Sequence, residues 1–511
     1  MRRLLSLLLL LDLLAIVGFV RPLRFGSHFP GETLALFDII GHTYGATWRY
    51  TALVAALVAL FLAAHALAGE LRGRRLTVVV FGGAALLSLT YLLLYPATSS
   101  DLFHYVMEGR ILWVHHQNPF TVPPSYFSDD PFYSQNGWLL VVWETLPSPY
   151  GPLWAVLTGI PLLLGHGDLL WTYMAFKLLA VAFYFLGAIA IFHTVRRLRP
   201  GKEWAATLLF TWNPLVLLYV AGNGANDVIM MGLTLAALYY GVRGRWSAAF
   251  PVLALATLVK FVSAVLIPVF VLYALLTTPR SQWRGLALSL GLSALIGLLL
   301  YAPFWRGQLT FTTLRYQASQ FTDSPGALLK TALTNVLALE NAVVVTKIVF
   351  FSALAGAYAF VLGGLIRRRD RLGPDDLPSA CFAVMCAYLM LAVFWFQPWY
   401  LLWLISLGAL TVGMRLRVTL LFSFTGLLTH TATSIAAIEG WYYFSPEFPG
   451  HPLLEIGSVL VFVFLAPGLY IAGTLLLRTR RGRALVARLP RPGAPPTPAV
   501  GTAGGAPAGG D

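Results

Sequence analysis

Apolar runs long enough to cross a membrane recur from one end of this chain to the other, which excludes most soluble folds. The chain has 511 residues, 58% hydrophobic and 11% charged, with a mean hydropathy of +0.74. A soluble core cannot use this much apolar sequence, whereas a membrane helix needs about 20 apolar residues. The predicted fold class is therefore an all-α, polytopic membrane protein, with apolar segments at 1–20, 49–69, 76–95, 168–195, 203–221, 227–242, 246–260, 262–277, 284–303, 342–366, 379–396, 399–413, 418–437 and 453–477.

Basic residues stand in short clusters between these runs and give the loops a side. Such clusters are typical of cytoplasmic loops. Placing all of them in the cytoplasm predicts about fourteen crossings of the cell membrane, with both termini cytoplasmic. Despite a net charge of +14, nucleic-acid binding is not expected, because no basic face with interleaved aromatic residues lies outside the membrane segments. The arginine clusters lie at 72–75, 196–199, 243–245, 367–371, 415–417 and 478–483.

Three segments differ from the regular pattern of membrane helices. The run at 1–20 follows two arginines like a signal peptide, but no small-residue cleavage site follows, so a first membrane helix is favoured over a cleaved signal. The run at 150–164 is short and interrupted by Gly and Pro; counting it as a crossing would put 196–199 outside, so we interpret it as re-entrant or interfacial. Residues 1–489 are predicted to form one transmembrane domain, and the Pro/Gly/Ala-rich residues 490–511 a disordered cytoplasmic tail.

A long polar loop at 96–150, predicted on the extracytoplasmic side, holds the densest polar chemistry. If it starts as a helix, Asp101, Tyr105 and Glu108 share one face, a pattern that suits proton transfer or cation binding. Asp101 follows two serines; the less favoured alternative is that it is only a first-turn acid of an interfacial helix. Arg110 points away from Asp101 by helix geometry, and it could form a solvated pair with Glu108.

Other polar residues interrupt apolar runs on the same predicted side. Asn118, followed by proline, should stop the helix and start an extended segment. Asn223, Asn226 and Asp227 fit either a tight turn before a helix or a ligand-binding turn. Lys260 lies within an apolar run, where an ammonium needs an anionic partner or the interface, and a phosphate would suit it. The stretch with Gln397, Trp399 and Tyr400 is either an aromatic belt or a break that lines a cavity.

Taken together, these segments resemble the GT-C glycosyltransferases, most closely the bacterial α-mannosyltransferases of the mycobacterial lipoglycan type. The likeness runs in order over about 76–410. Two departures stand out: Gly151 replaces one proline of a Tyr-Pro-Pro-Leu element, and Ala225 stands where histidine is expected. The matching motifs, as they stand here, are Asp101-x-Phe-x-Tyr105 with Gly109-Arg110 and Asn118-Pro119-Phe120; Tyr150-Gly151-Pro152-Leu153; Asn213-Pro214 with Asn223 and Asn226-Asp227; and Gln397-Pro398-Trp399-Tyr400-Leu401-Leu402-Trp403.

The resemblance implies an inverting enzyme that moves a sugar, with mannose the expected one, from a polyprenyl-phosphate donor to a lipid-linked or glycan hydroxyl on the outer face. It implies Asp101 as general base, and the chemistry suits Lys260 and Arg110 as groups that hold the phosphate. The sequence identifies no certain cofactor; Asp101 and Glu108 could hold a divalent cation, and the need for one stays open, because carboxylates alone are no metal signature. The expected binding residues are Glu108, Arg110, Asn118, Tyr150, Asn223, Asn226, Asp227, Lys260, Gln397, Trp399 and Tyr400.

Two other classes of protein could place this many apolar helices in a membrane. A transporter or flippase of lipid-linked sugars should carry polar residues near the bilayer midplane and often shows an inverted repeat. Here the polar residues cluster at one predicted surface, and no repeat is detected. A membrane scaffold would leave the long outer loop and Lys260 without a purpose. The sequence does not specify the donor sugar, the acceptor or the linkage.

Overall fold

The computed structural model describes residues 1–24, 43–136, 143–441 and 450–478, and over these it is helical. Within them the only β pairing is two isolated bridges, Arg24 with Leu94 and Thr322 with Trp395. The all-α prediction is confirmed for this part of the chain. The α-helices are Arg2–Ala15, Tyr44–Glu70, Arg74–Leu92, Asp101–Trp113, Pro131–Asn136, Pro152–Leu157, Gly159–Gly165, Leu169–Leu198, Glu203–Thr211, Pro214–Leu217, Asp227–Val242, Trp246–Val259, Ile267–Thr277, Trp283–Tyr301, Thr312–Gln317, Pro325–Leu333, Leu339–Arg367, Asp376–Leu391, Leu401–Gly408, Met414–Thr425, Thr429–Ile438, Pro452–Val459 and Leu465–Arg478.

Short 3₁₀ and π turns extend or join these helices. They usually mark the tight end of a helix or a local irregularity within it. The 3₁₀ turns are Pro124–Phe127, Phe261–Leu266, Arg280–Gln282, Ala302–Phe304, Gly307–Phe311, Arg369–Arg371, Pro398–Tyr400 and Gly426–Leu428, and the π turns are Ile16–Val20, Leu218–Gly222 and Leu460–Phe464.

Every predicted apolar segment contains a helix, but fewer helices are long enough to cross a bilayer alone. Eight helices in the described part of the chain meet the length and hydropathy needed, or nine with one bent pair. The predicted number of about fourteen crossings stays a prediction, because the remaining apolar helices have only 10–17 residues. The eight are Arg2–Val20, Tyr44–Glu70, Arg74–Leu92, Leu169–Leu198, Arg280–Phe304, Leu339–Arg367, Met414–Ile438 and Pro452–Leu477.

The bent pair shows why this bundle is discontinuous. Helix Glu203–Thr211 and the following Pro214–Gly222 meet at 48°. Proline lacks an N–H and forces the preceding residue out of helical geometry. Asn213 accordingly has an extended backbone, and its side chain accepts a hydrogen bond from Leu215 N, which starts the next helix. The segment at 150–164 is likewise a pair of short helices, Pro152–Leu157 and Gly159–Gly165.

The arginine-bearing loops meet at one end of the helices. Lys202 Nζ donates to the carbonyl of Gly69 at 3.2 Å, and the Arg199 guanidinium donates to the carbonyl of Leu410 and lies 3.7 Å from the Asp375 carboxylate. Helix Leu401–Gly408 therefore ends close to Arg199, while the Gln397–Tyr400 stretch lies at its start. The predicted separation of basic loops and polar motifs on opposite sides of the membrane stays a prediction.

By its contacts the chain forms two units, Met1–Pro467 and Gly468–Asp511. All residues discussed below belong to the first unit. The described part of the second is the end of the last helix, and the tail predicted to be disordered, 490–511, lies outside the described residues.

Candidate active site

The polar loop begins with the predicted helix, Asp101–Trp113, here called the loop helix. Asp101 is its first residue, and the Asp101 N–H donates to the Ser99 hydroxyl at 3.1 Å. Ser100 stands at the N-cap without a side-chain capping bond. Asp101, Tyr105 and Glu108 are buried, as are all residues from Asp101 to Gly109, so the helix is enclosed on every side over this length.

The Asp101 carboxylate lies between two phenols. The hydroxyls of Tyr105 and Tyr150 are both 3.4 Å from Asp101 Oδ2. Burial raises the pKa of Asp101 above its usual value, and the positive charge of Lys260 partly opposes that rise. Asp101 is buried, with 9% of its surface exposed, and Tyr150 separates it from the Lys260 side of the site. This is a protected carboxylate suited to accept a proton.

Asp227 and Lys260 form a second charged centre beside the first. Asp227 starts helix Asp227–Val242, as predicted, and Lys260 directly follows helix Trp246–Val259. Lys260 Nζ donates to both Asp227 oxygens at 2.9 Å, and Trp403 Nε1 donates to Asp227 Oδ1 at 2.6 Å. Lys260 therefore has the anionic partner that its position in an apolar run requires.

Aromatic rings surround the Lys260 ammonium. It lies 5.4 Å from the centre of the Tyr150 ring and 5.2 Å from that of Tyr400, and Tyr400 stacks on Trp403 at 4.4 Å. These three rings and Lys260 line a cavity of about 430 Å³. Tyr150 also reaches Asp101, so one side chain joins the carboxylate to the cavity wall.

A backbone contact holds Tyr150 in this position. The Gly151 N–H donates to the carbonyl of Val259 at 3.0 Å, which satisfies a carbonyl at the end of a helix. A Cβ at Gly151 would lie only 2.1 Å from the Leu258 oxygen. Proline, expected here from the resemblance, would add a similar clash and would lack the N–H, so glycine is the residue that fits.

Glu108 lies in a buried cluster that the sequence analysis did not recognise. Trp154 Nε1 donates to Glu108 Oε2 at 3.0 Å, and His104 Nε2 is 2.9 Å from Glu108 Oε1. The His104 contact has ion-pair distance but lacks hydrogen-bond geometry. The spacing of four residues between His104 and Glu108 was the available sequence signal.

Arg110 and Asn118 point away from this centre. Arg110 Nε donates to Asp130 Oδ1 at 2.8 Å, and His115 Nε2 lies 2.7 Å from Asp130 Oδ2. Asn118 accepts from Phe120 N and donates to the Phe304 carbonyl. The extended segment predicted after Asn118 is wrong, because the chain forms a turn there. The geometry gives Arg110 no contact with Asp101 or Lys260, so its predicted phosphate contact has no structural support.

The remaining predicted residues lie around the centre with different partners. Asn226 is fully buried and neither its amide nitrogen nor its amide oxygen has a hydrogen-bond partner. Asn223 donates to the Thr98 hydroxyl. The Trp399 ring lies 5.9 Å from that of Tyr219, and Gln397 precedes the turn without a capping bond. Asn226 thus adds two unpartnered amide atoms to the buried Glu108 Oε1 that lacks a hydrogen bond, and buried polar groups of this kind require an explanation.

Over the described ranges, no three or more His, Cys, Asp or Glu side chains are grouped so that they could hold a metal ion.

These features define a multi-helix membrane protein with a buried acid, a charged pair and an aromatic cavity at the ends of short helices. The sequence profile described as "Alpha-(1->6)-mannopyranosyltransferase, N-terminal domain" matches residues 16–276, just over half of the chain. The chain belongs to this family, which agrees with the resemblance inferred from its motifs.

One curated relative can be compared in detail. Alpha-(1->6)-mannopyranosyltransferase B of Corynebacterium glutamicum is 24% identical over 149 residues, which is 29% of this chain. The matched region spans only 24% of that relative's length. No solved structure matches the chain.

Proposed function

We propose that this protein is an inverting membrane mannosyltransferase that uses a polyprenyl-phosphate donor on the outer face. Family membership supports mannose as the sugar and an α-(1→6) linkage, the one named in the family description. The observation that carries the proposal is the buried Asp101, which one tyrosine separates from a cavity containing Lys260.

The chemistry needs few protein groups. In a direct displacement the acceptor oxygen bonds to C1 of the sugar, and the bond from C1 to the phosphate oxygen breaks. The acceptor proton passes to the Asp101 carboxylate, and the bonding electrons stay on the phosphate, whose negative charge rises by one. A β-linked donor then gives an α-linked product. Asn226, with its unused amide, is suited to bind a sugar hydroxyl.

The level of the charged centre within the membrane, as inferred from helix length, fits that of a lipid phosphate. Helix Asp227–Val242 has 16 residues and is about 24 Å long at 1.5 Å per residue. It starts at the centre and ends beside the arginine cluster at 243–245. With that cluster in the cytoplasm, the centre lies near the outer limit of a hydrocarbon core about 30 Å thick. A centre near the outer limit, and not at the bilayer midplane where transporters bind their substrates, favours an enzyme over the transporter.

The test is mannosyl transfer from a polyprenyl-phosphate mannose by the full-length protein. We expect Asp101→Asn to lower the rate by about 10²-fold or more, the usual contribution of a general base. Asp129→Asn is the matched control, because Asp129 is an exposed acid in the same loop. A rate for Asp101→Asn close to that of the wild type would remove Asp101 as the base. Product with retained configuration would exclude the direct displacement.

A further inference from the structure

A second lysine lines the same cavity and has no role in the account above. Lys347 lies within helix Leu339–Arg367, here called the rim helix. Its Nζ lies 6.0 Å from the centre of the Phe321 ring. Among the described residues, no acidic side chain lies within ion-pair distance of it. An ammonium in an apolar helix without an anionic partner is a candidate for binding an anion.

The charges at the site show why another cation is needed. Lys260 donates to both oxygens of Asp227, so the charge of this pair is already balanced. Asp101 adds a further acid when ionised. A phosphate entering the cavity would therefore meet no net positive charge from Lys260 and Asp227 alone. Lys347 supplies a further positive charge in the lining of the same cavity.

The position of Lys347 along the rim helix matches the level of a lipid phosphate. Twenty residues separate Lys347 from Arg367 at the basic end of this helix, which corresponds to about 30 Å. That length equals the thickness of a hydrocarbon core, about 30 Å. With Arg367 at the cytoplasmic surface, the Lys347 ammonium lies at the level of the outer headgroups.

The rim helix also gives the cavity an opening towards lipid. Only 6% of an 18-residue apolar stretch of this helix is buried inside the protein. Phe351, one turn beyond Lys347, lines the cavity and is still 48% exposed. A side chain that is both exposed and part of the wall marks the rim of a cavity. A lipid can therefore reach the cavity sideways past Lys347 and Phe351.

We propose that Lys347 binds the phosphate of the polyprenyl donor and neutralises the charge that this phosphate gains when the sugar leaves. The proposal rests on the proposed function for the identity of the donor. The recognised chemistry is a lipid phosphate ester, which an ordinary phospholipid headgroup also offers. The experiment must separate these two sources.

The test measures binding of undecaprenyl phosphate to the full-length protein in detergent, by native mass spectrometry, with undecaprenol as the probe that lacks phosphate. We expect Lys347→Ala to weaken binding of undecaprenyl phosphate about tenfold, since one charge-assisted contact is lost. Binding of undecaprenol should not change, which also shows that the variant is folded. Lys347→Arg should keep most of the affinity.

Lys330→Ala is the matched control. Lys330 Nζ lies 5.8 Å from the centre of the same Phe321 ring but does not line the cavity. Equal affinity of Lys347→Ala and wild type for undecaprenyl phosphate would overturn the proposal, and so would an equal loss in Lys330→Ala. Displacement of the probe by phosphatidylglycerol at the same concentration would also overturn it, in favour of a general headgroup site.

The binding measurement does not require any sugar transfer. If Lys347→Ala weakens binding of undecaprenyl phosphate but the wild type transfers no mannose, only the proposed function is contradicted. If the wild type transfers mannose but Lys347→Ala binds undecaprenyl phosphate as tightly as the wild type does, only the role of Lys347 is contradicted.

Discussion

Lys260 Nζ donates to both carboxylate oxygens of Asp227 at 2.9 Å, with Asp227 fully buried. Removing one partner of such a pair leaves an uncompensated charge, which costs on the order of 3 kcal/mol. We therefore expect Lys260→Met and Asp227→Asn each to lower the unfolding temperature in detergent. The double variant Asp227→Asn with Lys260→Met should unfold at a higher temperature than Lys260→Met alone. Additive losses in this cycle would show that the two side chains are not coupled.

The raised pKa of Asp101 predicts an acidic limb in the pH dependence of transfer. A general base must be ionised, so the active fraction grows as the pH rises through the pKa of the free protein. Burial raises the pKa of Asp101 above 3.8, and the charge of Lys260 lowers it again in part. We therefore expect Lys260→Met to move the limb of kcat/KM to higher pH. A limb that stays in place or moves to lower pH would contradict this coupling.

The sequence predicted the elements of the site better than their contacts. Asp101 at the start of a helix and Asp227 at the start of another followed from local patterns, since first turns favour acids. The need of Lys260 for an anion also followed from its apolar surroundings. That the anion is Asp227, 33 residues earlier, depends on two helix ends meeting in space. No local pattern contains that information.

Two features show where pattern reasoning failed for physical reasons. Asn118 was expected to start an extended segment, but its amide accepts from Phe120 N and closes a turn, a competing use of the same side chain. Lys347 lies in the apolar run 342–366, and no local pattern marks it as a binding residue. Its significance depends on the cavity, which residues from distant helices form together.

The contact between Arg110 and Asp130 predicts that the two side chains form a structural pair in the loop that follows Pro96. Burial alone would raise the pKa of Asp130. Hydrogen bonds from Arg110 and His115 lower this pKa by more than burial raises it, so the net shift is downward. A carboxyl with a lowered pKa stabilises the fold fully above its ordinary value, 3.8, and less as the pH falls below it. We expect Arg110→Gln to lower the unfolding temperature at pH 7. In acid, the difference in unfolding temperature between the variant and the wild type should be smaller. A large rise in KM for the donor would instead support the predicted phosphate contact of Arg110.

The close packing of the backbone at Gly151 allows a steric test of how Tyr150 is held in position. A Cβ at this position would lie 2.1 Å from the Leu258 oxygen, a backbone atom that cannot rotate away. We expect Gly151→Ala to separate the Tyr150 loop from the end of helix Trp246–Val259 and to lower both the unfolding temperature and the rate of transfer. Gly151→Pro should be at least as harmful, because it also removes the hydrogen bond to Val259.

Gly82→Ala is the matched control for this substitution. Gly82 lies within helix Arg74–Leu92, and a Cβ there would meet no atom within 4 Å. Alanine in an open helical position is expected to be neutral or to stabilise by up to about 1 kcal/mol. Wild-type rates and unfolding temperatures in both Gly151→Ala and Gly82→Ala would mean that the loop can move without cost. Tyr150 would then not depend on this backbone contact for its place between Asp101 and Lys260.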